Sequence, residues 1–295
     1  MSKLYVVGTP IGNLSDFSPR AVETLRLCAC IAAEDTRVTS KLLHRFEIDT
    51  PLTSCHQHNE QEKAQLLINR MLAEDISVAL VTDAGMPAIS DPGYLVVQEA
   101  VAAGIEVLSV PGPSAMAAAL SISGFDTREF AFYGFLPREK GALREKLLEI
   151  ARGVPIAVLH ESPHRVTDLL EAVAETLAGC QTCVCCDLTK LHEYTLHGAA
   201  EEVLTALRNN PKTEKGEYCV VLDFSRVHLP EKIEAPVLSP ETMLLSALLD
   251  GKNLQDAMQN LARSGYKRNT LYRASVRVRT FLMQWSSDEK GAEEE

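Results

Sequence analysis

A chain of 295 residues, 46% hydrophobic and 23% charged, has the composition of an ordinary globular protein and room for two modest domains. Forty acids against 29 bases give a net charge of −11, which argues against a general nucleic-acid binder, and no apolar run approaches the roughly 20 residues that span a bilayer. The N-terminus, MSKLYVVGTP, lacks the apolar core of a signal peptide, so the sequence predicts a cytoplasmic protein without membrane association, its eight cysteines reduced.

Short apolar runs predict strands at 4–7, 30–33, 76–81, 105–110, 130–135, 155–160, 182–188 and 218–224. Helical patterns lie between them near 18–28, 36–46, 59–74, 91–103, 114–122, 139–151, 163–177 and 198–208. This alternation predicts an α/β protein with largely parallel sheets, and continuous apolarity in ISVALV and IEVLSV suits strands covered on both faces. Ser18-Pro19 and Ser162-Pro163 each read as an N-cap followed by proline at the first helical position. SISGFDTREF breaks the pattern near Gly124, giving an N-terminal α/β domain over 1–122 and a second over 123–228. The cluster GCQTCVCC offers CxxC spacing at Cys180 and Cys183, but Cys183 and Cys185 flank Val184 inside an apolar run. That pattern favours a buried strand over a metal site, for which no second pair of ligands is evident; no metal is expected. LPEKIEAPVLSP, with three prolines, reads as a linker over 229–240. Three helical patterns follow at 241–250, 253–264 and 270–285, punctuated by Gly251 and Gly265, with Asn269 or Thr270 capping the last. They predict a small basic domain with a helix-turn-helix flavour over 241–287, then an acidic, disordered tail over 288–295.

Three loops rich in proline and glycine follow strands. GTPIGN (8–13) fits neither phosphate fingerprint: no Lys-Ser or Lys-Thr follows Gly12, the glycine spacing is GxxxG, and Pro10 lacks an N–H. It suits a pocket around a bulky neutral or zwitterionic ligand, or a plain turn. VTDAGMPAISDPG (81–93) carries two acids, of which Asp83 is a candidate ligand contact or a turn former. VPGPSAM (110–116) runs into a helix of small residues that lets a ligand approach closely. Together these loops form a ligand-binding edge at the carboxyl ends of strands.

Six motifs in order, VGTPIGN, DAGMPAISDPG, PGPSA, GFLP (134–137), LTKLHE (188–193) and GEYCVVL (216–222), resemble the tetrapyrrole (corrin/porphyrin) methylase superfamily. AEDTR (33–37), HESPHR (160–165) and the basic C-terminal helices narrow the resemblance to its small-subunit ribosomal RNA methyltransferase I branch, whose members methylate a cytidine 2′-oxygen in the decoding region. His192 and the cysteine-rich strand vary from that pattern. The resemblance implies two α/β domains with S-adenosylmethionine held between them, and a homodimer acting on small-subunit (16S) ribosomal RNA or the 30S particle. Carried over by position, Pro10, Asp83, Ala84, Gly85, Ser114, Ala115, Leu159 and Glu161 line the cofactor site.

Methyl transfer from a sulfonium needs a nucleophile held in line, and a ribose hydroxyl gains from a base. Candidate bases are Glu34, Asp35, Glu161 and Lys190, the last only with a lowered pKa; each is also a candidate structural ion pair. Arg37, Arg138 and Lys140 are candidate phosphate contacts or plain surface. From Ala257 to Ser287 there is no acid, and Arg263, Lys267, Arg268, Arg273 and Arg277 make a candidate RNA-binding cluster beside Tyr266 and Tyr272, which can stack on unpaired bases. The bland alternative is a solvated helix face packing Leu271, Val278 and Leu282 inward. Two rival functions stay open: a tetrapyrrole methyltransferase of the same fold, for which the basic tail has no evident use, and a non-enzymatic RNA-binding assembly factor.

Overall fold

The computed structural model describes residues 2–229, 238–263 and 266–292, with side chains described up to residue 284. Most of the expected linker, the glycine at 265 and the last three residues of the expected tail lie outside the described residues. The chain divides into two compact units, 1–229 and 230–295.

The first unit holds two five-stranded sheets. In the first, β1 (Lys3–Val7), β2 (Cys30–Ala33), β3 (Leu52–Ser54), β4 (Val78–Val81) and β5 (Glu106–Val110) lie in the order β3-β2-β4-β1-β5, every pair parallel. Helices α1 (Pro19–Leu27) and α2 (Thr36–Arg45) contribute Ala21, Leu25 and Leu43 to a core on one face. α3 (Glu60–Glu74) and α4 (Tyr94–Ala102) contribute Leu67, Met71, Val96 and Ala100 to a core on the other. With both faces covered, β2 and β4 are buried along their whole length, which is why their sequences are continuously apolar. Ser18 caps α1 as its spacing predicts, its side chain accepting from the Ala21 amide with Pro19 in the first turn.

The second sheet contains β6 (Ala131–Gly134), β7 (Ile156–Glu161), β8 (Gln181–Cys186), β9 (Tyr194–Ala199) and β10 (Tyr218–Asp223), in the order β6-β7-β10-β8-β9. It departs from the parallel expectation: β6–β7 is parallel, while β7–β10, β10–β8 and β8–β9 are antiparallel. A strand covered on both faces reads the same in either direction, so apolar content cannot show this. One face packs on α6 (Lys140–Gly153), α7 (Val166–Thr176) and α8 (Ala200–Arg208) through Leu147, Leu170, Val173 and Leu207. The other packs on α5 (Ala115–Ile122), the last helix of the first half in chain order, with Ala119 and Leu120 against Val158, Cys183, Cys185 and Val221. All eight cysteines are buried and free, and among the described residues no group of three or more metal-ligating side chains is placed to hold an ion.

Two strands lie outside the expected set, β3 and β9, and both are edge strands. Ser162-Pro163 does not open its helix. Ser162 O accepts from the Arg165 and Val166 amides in a turn, and α7 starts at Val166.

In the second unit, α9 (Pro240–Leu249), α10 (Leu254–Arg263) and α11 (Arg268–Ala292) enclose a small core of Leu244, Ala257, Ala274 and Val278. Ser239 caps α9. Asn269 and Thr270 sit inside the first turn of α11 rather than ahead of it, and that helix continues past Ser287 to Ala292. Among the described residues no helix is long and apolar enough to cross a membrane.

Candidate active site

The loops after β1, β4 and β5 are joined by backbone contacts. Gly8 N donates to Val110 O at 3.0 Å, and Thr9 and Gly85 exchange hydrogen bonds of 2.9 and 3.1 Å. A Cβ on Gly8 would lie 2.7 Å from the backbone of Gly112, so glycine is required where these two loops touch. The GTPIGN loop packs against its neighbours, and its other end reaches the second half: Asn13 N donates to Thr189 Oγ1 at 3.1 Å, and a Cβ on Gly12 would meet Lys190 Cγ at 2.5 Å. A second junction joins the β4 loop to the end of β6, where a Cβ on Gly134 would meet Ser90 Oγ at 2.8 Å. Ala88 and Ser90 hold left-handed φ angles of 65° and 62° in that loop, as do Asp187 and Thr189 in the facing one, at 52° and 67°. Such conformations cost roughly 1–3 kcal/mol each and gather at ligand sites.

Between the halves lies a cavity of about 420 Å³, within the range of small-molecule sites. Its walls come from Ile11, the β4 loop (Ala84 to Met86, Ile89, Asp91), the start of α5 (Ser114 to Met116), Phe132 and Phe135, the end of β7 (His160 to Pro163), Leu188, and Glu217 to Cys219. The cavity thus gathers five of the sequence-predicted cofactor residues, Ala84, Gly85, Ser114, Ala115 and Glu161. Pro10 and Asp83 line a separate recess of about 260 Å³ with Gly12, Thr39, Lys41 and Thr82. Leu159 is fully buried in the core beneath the second sheet, its backbone paired with Val220, so its side chain does not line the cavity.

Two polar atoms in the cavity wall lack hydrogen-bond partners. Glu161 is 3% exposed; its Oε1 accepts from the Ser162 amide at 2.7 Å, and Oε2 lies 3.3 Å from Arg165 Nη2. That distance gives charge attraction without hydrogen-bond alignment, so Oε2 stays unsatisfied. The other is His160 Nε2. Burial depresses the His160 pKa, with Glu217 opposing, which favours the neutral ring. The rings of Phe132 and Phe135 stand edge-on to it, at centroid distances of 5.0 and 5.9 Å.

The remaining base candidates lie off this wall. Glu34 accepts from the Thr82 hydroxyl at 2.5 Å. Asp35 caps α2 and pairs with Arg37 at 2.6 Å, which holds its carboxyl well below the usual range. The same contact occupies Arg37, the proposed phosphate ligand. Lys190 bridges Asp187 at 2.8 Å and Glu217 at 3.1 Å. Burial lowers its pKa, but those hydrogen bonds outweigh it and the pKa is raised, the reverse of what a lysine base needs. Asp91, the second acid of DAGMPAISDPG, is not among the residues the sequence singles out. It lines the cavity, and burial, with Glu34 adding, pushes its pKa up to about 6. Its loop is anchored by buried Glu60, which accepts from the Gly93 and Leu95 amides at 2.8 Å each.

In the second unit, Arg263, Lys267, Arg268, Arg273 and Arg277 are all exposed. Arg263 and Arg268 line an open recess with Gln255, Met258, Tyr266 and Tyr272. Arg277 pairs with Glu241 at 3.2 Å, which compensates part of its charge. Leu271 and Val278 pack inward, whereas Leu282 is exposed.

Residues 3–204 match the family model for tetrapyrrole (corrin/porphyrin) methylases. The chain belongs to the tetrapyrrole methylase family. Within it, the methylase is 41% identical over 260 residues to a ribosomal RNA small subunit methyltransferase I of Halalkalibacterium halodurans, covering 88% of this chain and 89% of that protein. Proteins of the same name from Synechocystis and Escherichia coli O157:H7 are 39% and 38% identical, with 94% and 93% of this chain and 99% and 94% of theirs covered. Among solved structures, diphthine synthase (TM-score 0.57, 14% identity, 77% and 92% covered) shares the fold of the methylase. So does a Thermus thermophilus uroporphyrin-III C-methyltransferase in complex with S-adenosyl homocysteine (0.52, 19%, 75% and 97%).

Proposed function

We propose that this methylase transfers a methyl group from S-adenosylmethionine to small-subunit (16S) ribosomal RNA, at the 2′-oxygen of a cytidine in the decoding region. The observation that carries the reading is the cavity between the two sheets, taken with relatives of about 40% identity that share one name along nearly the whole chain. The donor fits the residues present. Ala84, Gly85, Ser114 and Ala115 leave room for a bulky ligand, and the unsatisfied Glu161 Oε2 is a ready acceptor. S-adenosylmethionine supplies an electrophilic methyl carbon on a sulfonium, and its thioether leaves neutral, without protonation.

The protein therefore has two tasks: holding the hydroxyl in line, worth up to about 7–11 kcal/mol, and accepting its proton, worth about 10²–10⁴-fold. Glu34 and Asp35 are engaged elsewhere and Lys190 is held charged. Asp91 is the carboxylate in the cavity wall whose pKa sits near working pH, and we assign it the proton. The exposed arginines and lysines of the second unit hold RNA phosphates. The active form is a cytoplasmic homodimer, and its substrate is small-subunit ribosomal RNA or the 30S particle.

The test supplies purified protein and labelled S-adenosylmethionine to small-subunit particles and, separately, to a uroporphyrin-class tetrapyrrole. Label in a ribose of the RNA is expected. Label in the tetrapyrrole alone identifies a corrin-type enzyme, and donor binding absent by calorimetry favours a non-enzymatic factor.

A further inference from the structure

Phe135 stands 62% exposed at the cavity rim, with its ring edge-on to His160. A lone exposed aromatic needs no explanation, but this one stands on a fixed corner. Gly134 before it holds a left-handed φ of 59° against Ser90. Leu136 and Pro137 after it offer their carbonyls to Arg165 Nη2 at 3.3 and 3.1 Å, and Arg165 is anchored by the buried Glu161. Ile89, next to Ser90 in the facing loop, is 50% exposed and lines the same cavity. Two apolar side chains from opposite halves thus line one cavity, and the Ser90 side chain occupies the space a Cβ on Gly134 would need. Arg138 and Lys140 follow within five residues, exposed and without an ion-pair partner among the described residues.

We propose that Phe135 is the platform on which the target nucleobase stacks, with Ile89 as the apolar wall beside it. The inference rests on the RNA reading above and names the part of the site that takes the base. A ribose oxygen reaches a methyl group held inside the cavity only if its nucleotide leaves the stack, and an unstacked base regains an apolar face on an aromatic side chain. A platform held rigid before binding loses little freedom when the base arrives. Arg138 and Lys140 put two exposed cations close in sequence to the platform, for the phosphates that flank the extruded nucleotide.

The experiment compares full-length wild-type protein with Phe135→Ala, Phe135→Trp and Phe135→Leu, using small-subunit particles as substrate. Stacking on one aromatic is worth about 5- to 150-fold, so Phe135→Ala should lose that much kcat/KM for the particles. Its affinity for S-adenosylmethionine should stay within about two-fold of wild type, and its melting temperature should not move, because the side chain is exposed. Phe135→Trp should keep most of the activity, and Phe135→Leu, which keeps bulk without a π face, should resemble Phe135→Ala. Wild-type kcat/KM in Phe135→Ala, full activity in Phe135→Leu, or donor affinity weakened tenfold or more overturns the proposal; the last makes Phe135 a wall of the donor site. A wild-type protein that binds the donor yet methylates no ribosomal RNA removes the reading beneath the proposal, and the proposal with it.

Discussion

At the scale of single residues, the acids of the first unit separate by environment. Asp35 has a guanidinium against it and its pKa falls; Asp91 has burial and neighbouring carboxylates, and its pKa rises to about 6. The groups facing Asp91 are Glu34 and Asp83, which raise it, and the Thr82 hydroxyl, which lowers it. A base works only when ionised, so kcat/KM should fall tenfold per pH unit below about 6 and level off above it. Asp91→Asn should lower kcat by about 10²–10⁴-fold and abolish that acid limb while binding the donor normally. A pH–rate profile of both proteins checks this, and an unchanged acid limb in the variant contradicts it. The sequence displayed Asp91 and Asp83 in one motif with nothing to rank them, because the ranking comes from burial and from Glu34, nearly sixty residues away in the chain. Leu159 differs in depth: its side chain is fully buried in the core, and the cavity wall takes residues only from the strand end onward, His160 to Pro163.

At the scale of elements, the site is built by three loops touching one another. Gly8 and Gly112 meet backbone to backbone, so Gly8→Ala should destabilise the protein by about 1–3 kcal/mol and weaken donor binding. Gly153→Ala is the control: nothing lies within 4 Å of a Cβ there, and it sits at the end of α6, so stability should hold or rise slightly. Urea unfolding with calorimetry measures both; equal effects of the two substitutions contradict the loop-contact account. The buried strands were plain in the sequence because two covered faces demand continuous apolarity. β3 and β9 were hidden because an edge strand buries less, and neither has a fully buried residue pattern. The antiparallel pairing of the second sheet left no mark in composition. Ser18-Pro19 and Ser162-Pro163 look alike as sequence, yet only the first is a cap, since the second is drawn into a turn that brings Arg165 under the GFLP corner.

At the scale of the whole molecule, charge is divided between a strongly acidic average and a second unit whose α11 carries exposed cations. The first unit has its own sheets and cores, so a chain ending at residue 229 should bind S-adenosylmethionine with near-normal affinity and lose transfer to ribosomal particles. Full RNA methylation by that truncation removes the role given to the basic helices. The wild-type protein should also lose particle affinity steeply as salt rises, the signature of phosphate contacts. The most direct measurement is mass spectrometry of small-subunit ribosomal RNA from cells with and without this protein. The account predicts the loss of one ribose methyl on a single cytidine of the decoding region, restored by the wild-type chain; identical methylation in both strains contradicts it.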